Sequence, residues 1–98
     1  MRLEFHPEAR DEFVAAAGFY DAAVPGLGNR FLVAVRRTTD LVLRHPTAGT
    51  PRKAGARRIL VTGFPYDVVY QIRENVVEVL AIAHQHRRPG YWRERLSG

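Results

Sequence analysis

The fold of this chain is decided by residues 57–84, which read RRILVTGFPYDVVYQIRENVVEVLAIAH. Turn residues interrupt this stretch at Gly63-Phe64-Pro65 and at Glu74-Asn75, and asparagine tolerates the left-handed backbone of a tight hairpin turn. Between the turns, apolar side chains alternate, which predicts a strand with one apolar face. The following strand is apolar on both sides apart from Glu78, as is typical of a strand covered on both faces. The predicted strands of this meander are residues 57–62, 66–73 and 76–84.

Two helices are predicted before the meander. The first begins at Pro7, which suits a first helical turn, and ends before Pro25-Gly26. Its early acidic residues, including Glu12, favour the positive end of the helix dipole. The second helix covers about residues 27–45 and ends before Pro46, because the residue before a proline disfavours helix. The short connection between them predicts an antiparallel helix hairpin.

The remaining segments complete an α+β fold in a single domain, residues 1–98, since a chain of this length has no room for two cores. Residues 2–5 alternate polar and apolar side chains and are predicted as a first strand. Residues 46–56 contain two prolines and two glycines without periodicity and are predicted as a loop. Residues 91–96 are predicted to form a short helical tail. The order predicts a helix hairpin packed on one face of an antiparallel sheet.

Composition and charge narrow the classes of function. The chain has no cysteine, which excludes disulfides and thiolate metal sites and fits a reducing cytoplasm. No membrane-spanning run or signal peptide is apparent, so a cytoplasmic location is expected. The net charge is +5, and residues 1–50 carry six arginines against six acidic residues, so the excess lies in residues 51–98. A one-sided basic surface suits a polyanion or an acidic protein partner, although a merely solvated basic surface is the alternative.

The densest polar segment is HQHRRPGYWRER, residues 84–95, with two histidines, four arginines, a tyrosine and a tryptophan. Arginine forks and aromatic rings grip phosphates and stack on bases. Alternatively, arginine, histidine and tyrosine cleave RNA without a metal, with His84 and His86 as proton carriers. The plainer interpretation is that Tyr91 and Trp92 pack the tail on the sheet and that His84 is structural. A second basic cluster, predicted to lie near the first, consists of Arg52, Lys53, Arg57 and Arg58.

Along nearly its whole length the chain resembles the RelE/ParE superfamily, and more narrowly the ParE toxins labelled as plasmid stabilisation proteins. The matching pieces are Pro7-Glu8-Ala9, Tyr20, Pro25-Gly26-Leu27-Gly28, Phe31, Phe64-Pro65-Tyr66, Tyr70, His84, Arg87-Arg88-Pro89 and Tyr91-Trp92. The resemblance implies the same fold and a toxin–antitoxin hetero-oligomer, in which the C-terminal segment of a cognate antitoxin, expected to be acidic, wraps the helix hairpin and sheet. The residues expected to bind the antitoxin are Phe13, Tyr20, Phe31, Arg57 and Arg58.

The superfamily contains two activities, and the resemblance favours one of them. RelE-type members cut mRNA on the ribosome, whereas ParE-type members poison DNA gyrase. Two arginines important in RelE-type enzymes fall near Thr62 and Gln85 here, which weakens the ribonuclease interpretation, although Arg87 is close. The first hypothesis is therefore a gyrase-binding toxin without enzymatic activity or cofactor. Its target-binding residues are predicted to be Arg87, Arg88, Tyr91, Trp92, Arg93 and Arg95.

Two alternatives remain open. One is a metal-independent, ribosome-dependent mRNA endonuclease, whose catalytic residues would be Arg58, His84, Arg87 and Tyr91. The other is an inactive toxin that persists only as a module for binding its antitoxin.

Overall fold

Two helices pack against one face of a five-stranded sheet in the computed structural model, which describes residues 1–96. Residues 97–98 lie outside the described residues. Short 3-10 turns cover Lys53–Gly55 and Arg93–Arg95. The main elements are β1 (Arg2–Phe5), α1 (Pro7–Ala23), α2 (Leu27–Arg44), β2 (Thr50–Pro51), β3 (Arg57–Leu60), β4 (Tyr66–Arg73) and β5 (Val76–His84).

The sheet has the order β1-β5-β4-β3-β2, and it is mixed rather than antiparallel throughout. The meander β3-β4-β5 is antiparallel as predicted, but β1 pairs with β5 in parallel, with Arg2 opposite Val76 and Phe5 opposite Val79. The prediction of an antiparallel sheet was wrong for β1. The two strands are joined by the helix hairpin and three further strands, and such a long connection permits the parallel arrangement that a hairpin turn forbids.

Two local predictions also need correction. Within the predicted loop, Thr50 and Pro51 form the edge strand β2 opposite Arg58 and Arg57 of β3. A proline is tolerated there because one side of an edge strand needs no backbone donor. In the hairpin turn between β4 and β5, Glu74 rather than its asparagine neighbour takes the left-handed backbone, with a φ of 53°. The geometry of this turn requires the left-handed backbone at position 74, although asparagine tolerates that conformation better than glutamate.

The helix-facing core is built around Phe31, which is fully buried. Its ring centroid lies 5.1 Å from those of both Phe64 and Tyr66, and 5.3 Å from that of Tyr20. Edge-to-face contacts of this kind add to the hydrophobic stabilisation of each ring. The aliphatic part of this core comes from both helices and from strands β4 and β5, and it includes Ala9, Ala16, Val35, Val42, Val68, Val77, Val79 and Ile82.

The helix hairpin depends on one glycine. A Cβ built on Gly28 would lie 2.5 Å from the backbone oxygen of Ala17, so only glycine lets α2 start this close to α1. The Asp21 carboxylate accepts hydrogen bonds from the backbone nitrogens of Gly26 and Gly28 and fixes the turn. Within residues 1–96, neither helix is long and apolar enough to span a bilayer.

A β-bulge in β5 determines which side chains face the helices. Val69 of β4 lies opposite Ala81 and Tyr70 lies opposite Val79, so Leu80 has no partner across the strand. Val79 and Ile82 therefore pack towards the helices, while Leu80 and Ala81 pack on the other face. Both faces of β5 are covered, as the sequence predicts, and the second cover is the chain that follows β5.

Candidate functional site

The C-terminal tail, residues 85–96, lies on the sheet face opposite the helices. Trp92 is its anchor, with only 7% of its surface exposed, and it packs in a cluster with Val69, Leu80 and Ala83. Apart from the bond between the Gln85 nitrogen and the Pro65 oxygen, the tail backbone makes local turns, such as Tyr91 to Arg88 and Arg95 to Trp92. Side chains, rather than a backbone ladder, therefore hold the tail on the sheet.

Between this tail and strands β3 and β4 lies a cleft of about 230 Å³, which we call the basic cleft. It joins the two basic clusters of the sequence, because the loop before β3 reaches the same end of the sheet as the tail. The carboxylate of Asp67 also lines it and lies 3.4 Å from the Arg58 guanidinium. Its basic wall consists of Arg52, Lys53, Arg58, His84, Arg87, Arg88 and Arg93.

Arg57 does not line the cleft, although it belongs to the same basic cluster in the sequence. Successive residues of a strand point to opposite faces, so Arg57 and Arg58 diverge. The Arg57 guanidinium donates hydrogen bonds to the backbone oxygens of Thr47 (3.2 Å) and Gly49 (2.8 Å). These hydrogen bonds fix the loop that follows α2.

A carboxylate from α1 clasps the far end of the tail. The Tyr91 hydroxyl donates to Glu12 Oε2 at 2.9 Å, and Arg95 donates to Oε1 at 2.9 Å and to Oε2 at 3.0 Å. The ion pair is largely buried, since the side chains of Arg95 and Glu12 are 9% and 17% exposed. We call Glu12, Tyr91 and Arg95 the Glu12 clasp. The sequence-based interpretation of Glu12 as a helix-dipole residue missed this contact with the tail.

Two cations flank the ring of Tyr91. The guanidinium carbon of Arg87 lies 3.9 Å from the ring centroid, and that of Arg95 lies 5.1 Å away. Such cation–π contacts are strongest where the cation is partly desolvated. Arg87 is therefore oriented through the clasped tyrosine while it lines the basic cleft.

The clasp shifts the proton equilibria of its members. Burial raises the pKa of Tyr91, the hydrogen bond to Glu12 and its negative charge raise it further, and the two arginines only partly oppose this. Burial alone would lower the pKa of Arg95, but Glu12 offsets this and raises it. Near neutral pH, Tyr91 is therefore a protonated hydrogen-bond donor and is poorly suited to act as a general base.

His84 stands at the end of β5, at the rim of the cleft. Its Nδ1 accepts a hydrogen bond from the backbone nitrogen of His86 at 3.0 Å. The ring lies edge-on to Tyr66, with the centroids 5.1 Å apart. Within residues 1–96, no group of three or more histidine and acidic side chains is placed to hold a metal ion.

The residues predicted to bind an antitoxin occupy four different environments, of which the loop contact of Arg57 has been described above. Phe31 is fully buried, Tyr20 is half-buried beside it, and Arg58 lines the basic cleft. Phe13 lines a second, apolar cleft of about 380 Å³ between β1 and the helices. We call this second cleft the helix groove, and its walls also include Leu3, Phe5, Leu32, Val33 and Arg36. Leu32 and Val33 are 43% and 42% exposed, and their apolar character on the polar side of α2 was the overlooked signal in the sequence.

Comparison with known proteins identifies the family that this chain matches. The family described as "ParE toxin of type II toxin-antitoxin system, parDE" matches residues 3–89. The protein named Toxin ParE2, from two strains of Mycobacterium tuberculosis, is 26% identical over 98 residues, covering 99% of this chain and 93% of the relative. A solved structure described as the chromosomal ParDE TA system from P. aeruginosa has a TM-score of 0.66 and 19% identity, covering 86% of this chain and 95% of that one. At that identity the solved structure supports the fold alone.

Proposed function

The chain belongs to the ParE toxin family of type II toxin–antitoxin systems, and from this membership we propose that it arrests bacterial growth by binding DNA gyrase in the cytoplasm. The observation that supports this proposal best is the basic cleft, in which six lysine and arginine side chains surround a single acidic one. A concave surface of one charge attracts an oppositely charged partner and orients its approach. We infer that the cleft is the target-binding surface.

Within this surface, the predicted target-binding residues divide into two groups. Arg87, Arg88 and Arg93 line the cleft and are available to a partner. Tyr91, Trp92 and Arg95 hold the tail in place, because the Tyr91 hydroxyl is bonded to Glu12 and the other two side chains are largely buried. Charges at an accessible rim govern the rate and salt dependence of binding, whereas buried anchors govern whether the surface forms at all.

A cognate antitoxin is part of the proposal, and the helix groove is its proposed docking site. The groove is apolar along Leu3, Phe5 and Phe13, and one cation, Arg36, and one carboxylate, Asp40, also line it. The apolar face of an amphipathic segment would match this groove. The proposed groove and the basic cleft lie on opposite sides of the sheet, so neutralisation would leave the cleft itself uncovered or require a second antitoxin segment to reach it.

A ribonuclease is the second candidate, because Arg58, His84, Arg87 and Tyr91 all line the same cleft. The hydroxyl of Tyr91 is already engaged by Glu12, which leaves His84 as the one candidate general base of this set. The clasp therefore favours a binding surface over a catalytic centre. An inactive toxin that only binds antitoxin is the third candidate.

Controlled expression in a bacterium without antitoxin, with transcript mapping and a supercoiling assay on purified gyrase, tests the proposal. We expect growth arrest, inhibited supercoiling and intact transcripts. Transcripts cut on the ribosome, with gyrase unaffected, would establish the ribonuclease instead. Normal growth, intact transcripts and normal supercoiling would instead support an inactive toxin that only binds its antitoxin.

Paired variants localise the activity. Replacing Arg87 and Arg88 by alanine removes two charges from the cleft, whereas replacing Arg37 and Arg44 by alanine removes two exposed charges from the outer side of α2. We expect the first pair to abolish growth arrest and the second to retain it. Equal loss in both pairs would show that net charge, rather than the cleft, carries the activity.

A further inference from the structure

The outer edge of β5 is covered in two different ways along its length. Its first half pairs with β1, which ends where Phe5 lies opposite Val79. The backbone of His6 then donates to the Val79 oxygen as the chain turns into α1. Beyond that point, the backbone oxygen of Leu80 accepts from Arg95 at 2.9 Å, and the nitrogen of Ile82 donates to Glu12 at 3.1 Å. The side chains of Glu12 and Arg95 therefore hydrogen-bond the backbone groups of β5 that lie beyond the end of β1.

We infer that Glu12 is the positioning residue of the basic cleft: from α1, it fixes Tyr91 and Arg95 at the sheet edge and thereby sets where Arg87 stands. This inference rests on the proposed function in so far as the cleft is the target-binding surface. Glu12 lies on α1, but the side chains that it arranges lie on the opposite face of the sheet. The residues that touch the target and the residue that arranges them thus belong to different layers of the fold.

The contacts of the carboxylate account for this role. Both oxygens of Glu12 are used, one by Arg95 and the Ile82 backbone, and the other by Tyr91 and Arg95. Removal of its charge would leave the largely buried Arg95 without its main counterion, which is costly. No other acidic side chain of the described chain reaches both Tyr91 and Arg95.

The path from Glu12 to the cleft is short. Tyr91, held through its hydroxyl, presents its ring to Arg87 at 3.9 Å. Since the tail backbone is not paired with the sheet, a freed Tyr91 would also free the arginines on either side of it. Trp92, next to Tyr91, is the other buried anchor of the tail, and without the clasp its own burial should decrease.

Glu8 provides a matched control one helical turn before Glu12. Its Oε2 lies 3.1 Å from the Arg95 guanidinium, but its side chain is 64% exposed, so solvent screens the pair. Glu8→Gln and Glu12→Gln remove the same charge from the same helix. Any difference between them reports the clasp rather than the net charge of the protein.

Trp92 is the only tryptophan of the chain, so its fluorescence reports the seating of the tail directly. In Glu12→Gln, we expect Trp92 emission to shift to longer wavelength and acrylamide quenching to increase, with far-UV circular dichroism unchanged. On immobilised heparin, used as a polyanionic probe of the cleft, Glu12→Gln should elute at lower salt than Glu8→Gln. Tyr91→Phe, which deletes one hydroxyl contact, should shift both readouts in the same direction but less, and it serves as the test if Glu12→Gln does not fold.

The growth assay gives the functional half of the test. Growth arrest should be lost in Glu12→Gln and retained in Glu8→Gln. Unchanged Trp92 emission and equal heparin elution of the two variants would overturn the inference, and so would full growth arrest by a Glu12→Gln protein whose tail is released. If the unmodified protein does not arrest growth, the proposed function fails, while the fluorescence and heparin comparison still decides whether Glu12 positions the cleft.

Discussion

The two faces of the sheet are covered by different kinds of interaction. On the helix face, Phe31 and its neighbours form a continuous apolar core that involves both helices and four of the five strands. On the opposite face, a short tail is held by Trp92 and by the Glu12 clasp, and the basic cleft lies between this tail and the strands. The helix face therefore holds the larger apolar core, and the opposite face holds the basic cleft that we propose as the target-binding surface. Functional residues on a connecting segment over a rigid scaffold are a common arrangement.

The largest expected effect on the free energy of unfolding comes from the helix face. Phe31→Ala should lower it by about 3–5 kcal/mol, because it removes a fully buried ring and leaves a cavity between α2 and the sheet. Phe19→Ala, at a ring that is 68% exposed on α1, should stay within about 0.5 kcal/mol. Urea unfolding measures both. A small loss in Phe31→Ala would show that the helix face does not dominate stability.

A smaller decrease in the free energy of unfolding is expected at Tyr70, a residue of the helix-face core that hydrogen-bonds the loop after α2. The buried Tyr70 hydroxyl accepts from the Gly49 nitrogen at 2.9 Å and donates to the Pro46 oxygen at 2.8 Å. Tyr70→Phe should cost about 1–3 kcal/mol, because a buried amide then lacks its acceptor. Gly49→Ala should also destabilise, since its Cβ would lie 2.7 Å from the same hydroxyl, whereas Gly18→Ala in open helix should not. Thermal unfolding ranks the three variants, and a neutral Tyr70→Phe would contradict this account.

Alkaline pH should lower the free energy of unfolding, in part because Tyr91 then loses its proton. A tyrosine whose pKa is raised by folding stabilises the fold fully below its unfolded value of about 10, and this contribution is lost as the pH rises through the folded value. Burial also raises the pKa values of Tyr20 and Tyr66, so the free energy of unfolding should decrease above about pH 10. In Tyr91→Phe the decrease should be shallower. Urea titrations at a series of pH values measure it, and identical slopes in the two proteins would refute the assignment to Tyr91.

The smallest effect on stability is expected at the far wall of the basic cleft. Replacing Arg52 and Lys53 by alanine should change the free energy of unfolding by less than about 0.5 kcal/mol, because both side chains are exposed. Elution from immobilised heparin should nevertheless move to lower salt than that of the Arg37 and Arg44 control, which loses the same charge. Equal elution would remove this wall from the target-binding surface.

The strands β4 and β5 could be predicted residue for residue, because turn residues bound them and their apolar patterns are local. The parallel pairing of β1 with β5, the bulge at Leu80 and the Glu12 clasp could not, since each depends on residues far apart in the sequence. At the site, the density of arginines indicated the tail and the loop before β3. It could not separate the exposed Arg88 from the largely buried Arg95, because burial is decided by a carboxylate on another element.

The pairing of β1 with β5 also constrains the order in which the chain can fold during synthesis. Arg2 pairs with Val76, so β1 leaves the ribosome well before the strand with which it pairs. The helix hairpin can form early, because its contacts are local, but its apolar face has no sheet to cover until the meander has been made. A nascent chain that ends before β5 therefore exposes part of this face, and the sheet can close only after β5 has been made.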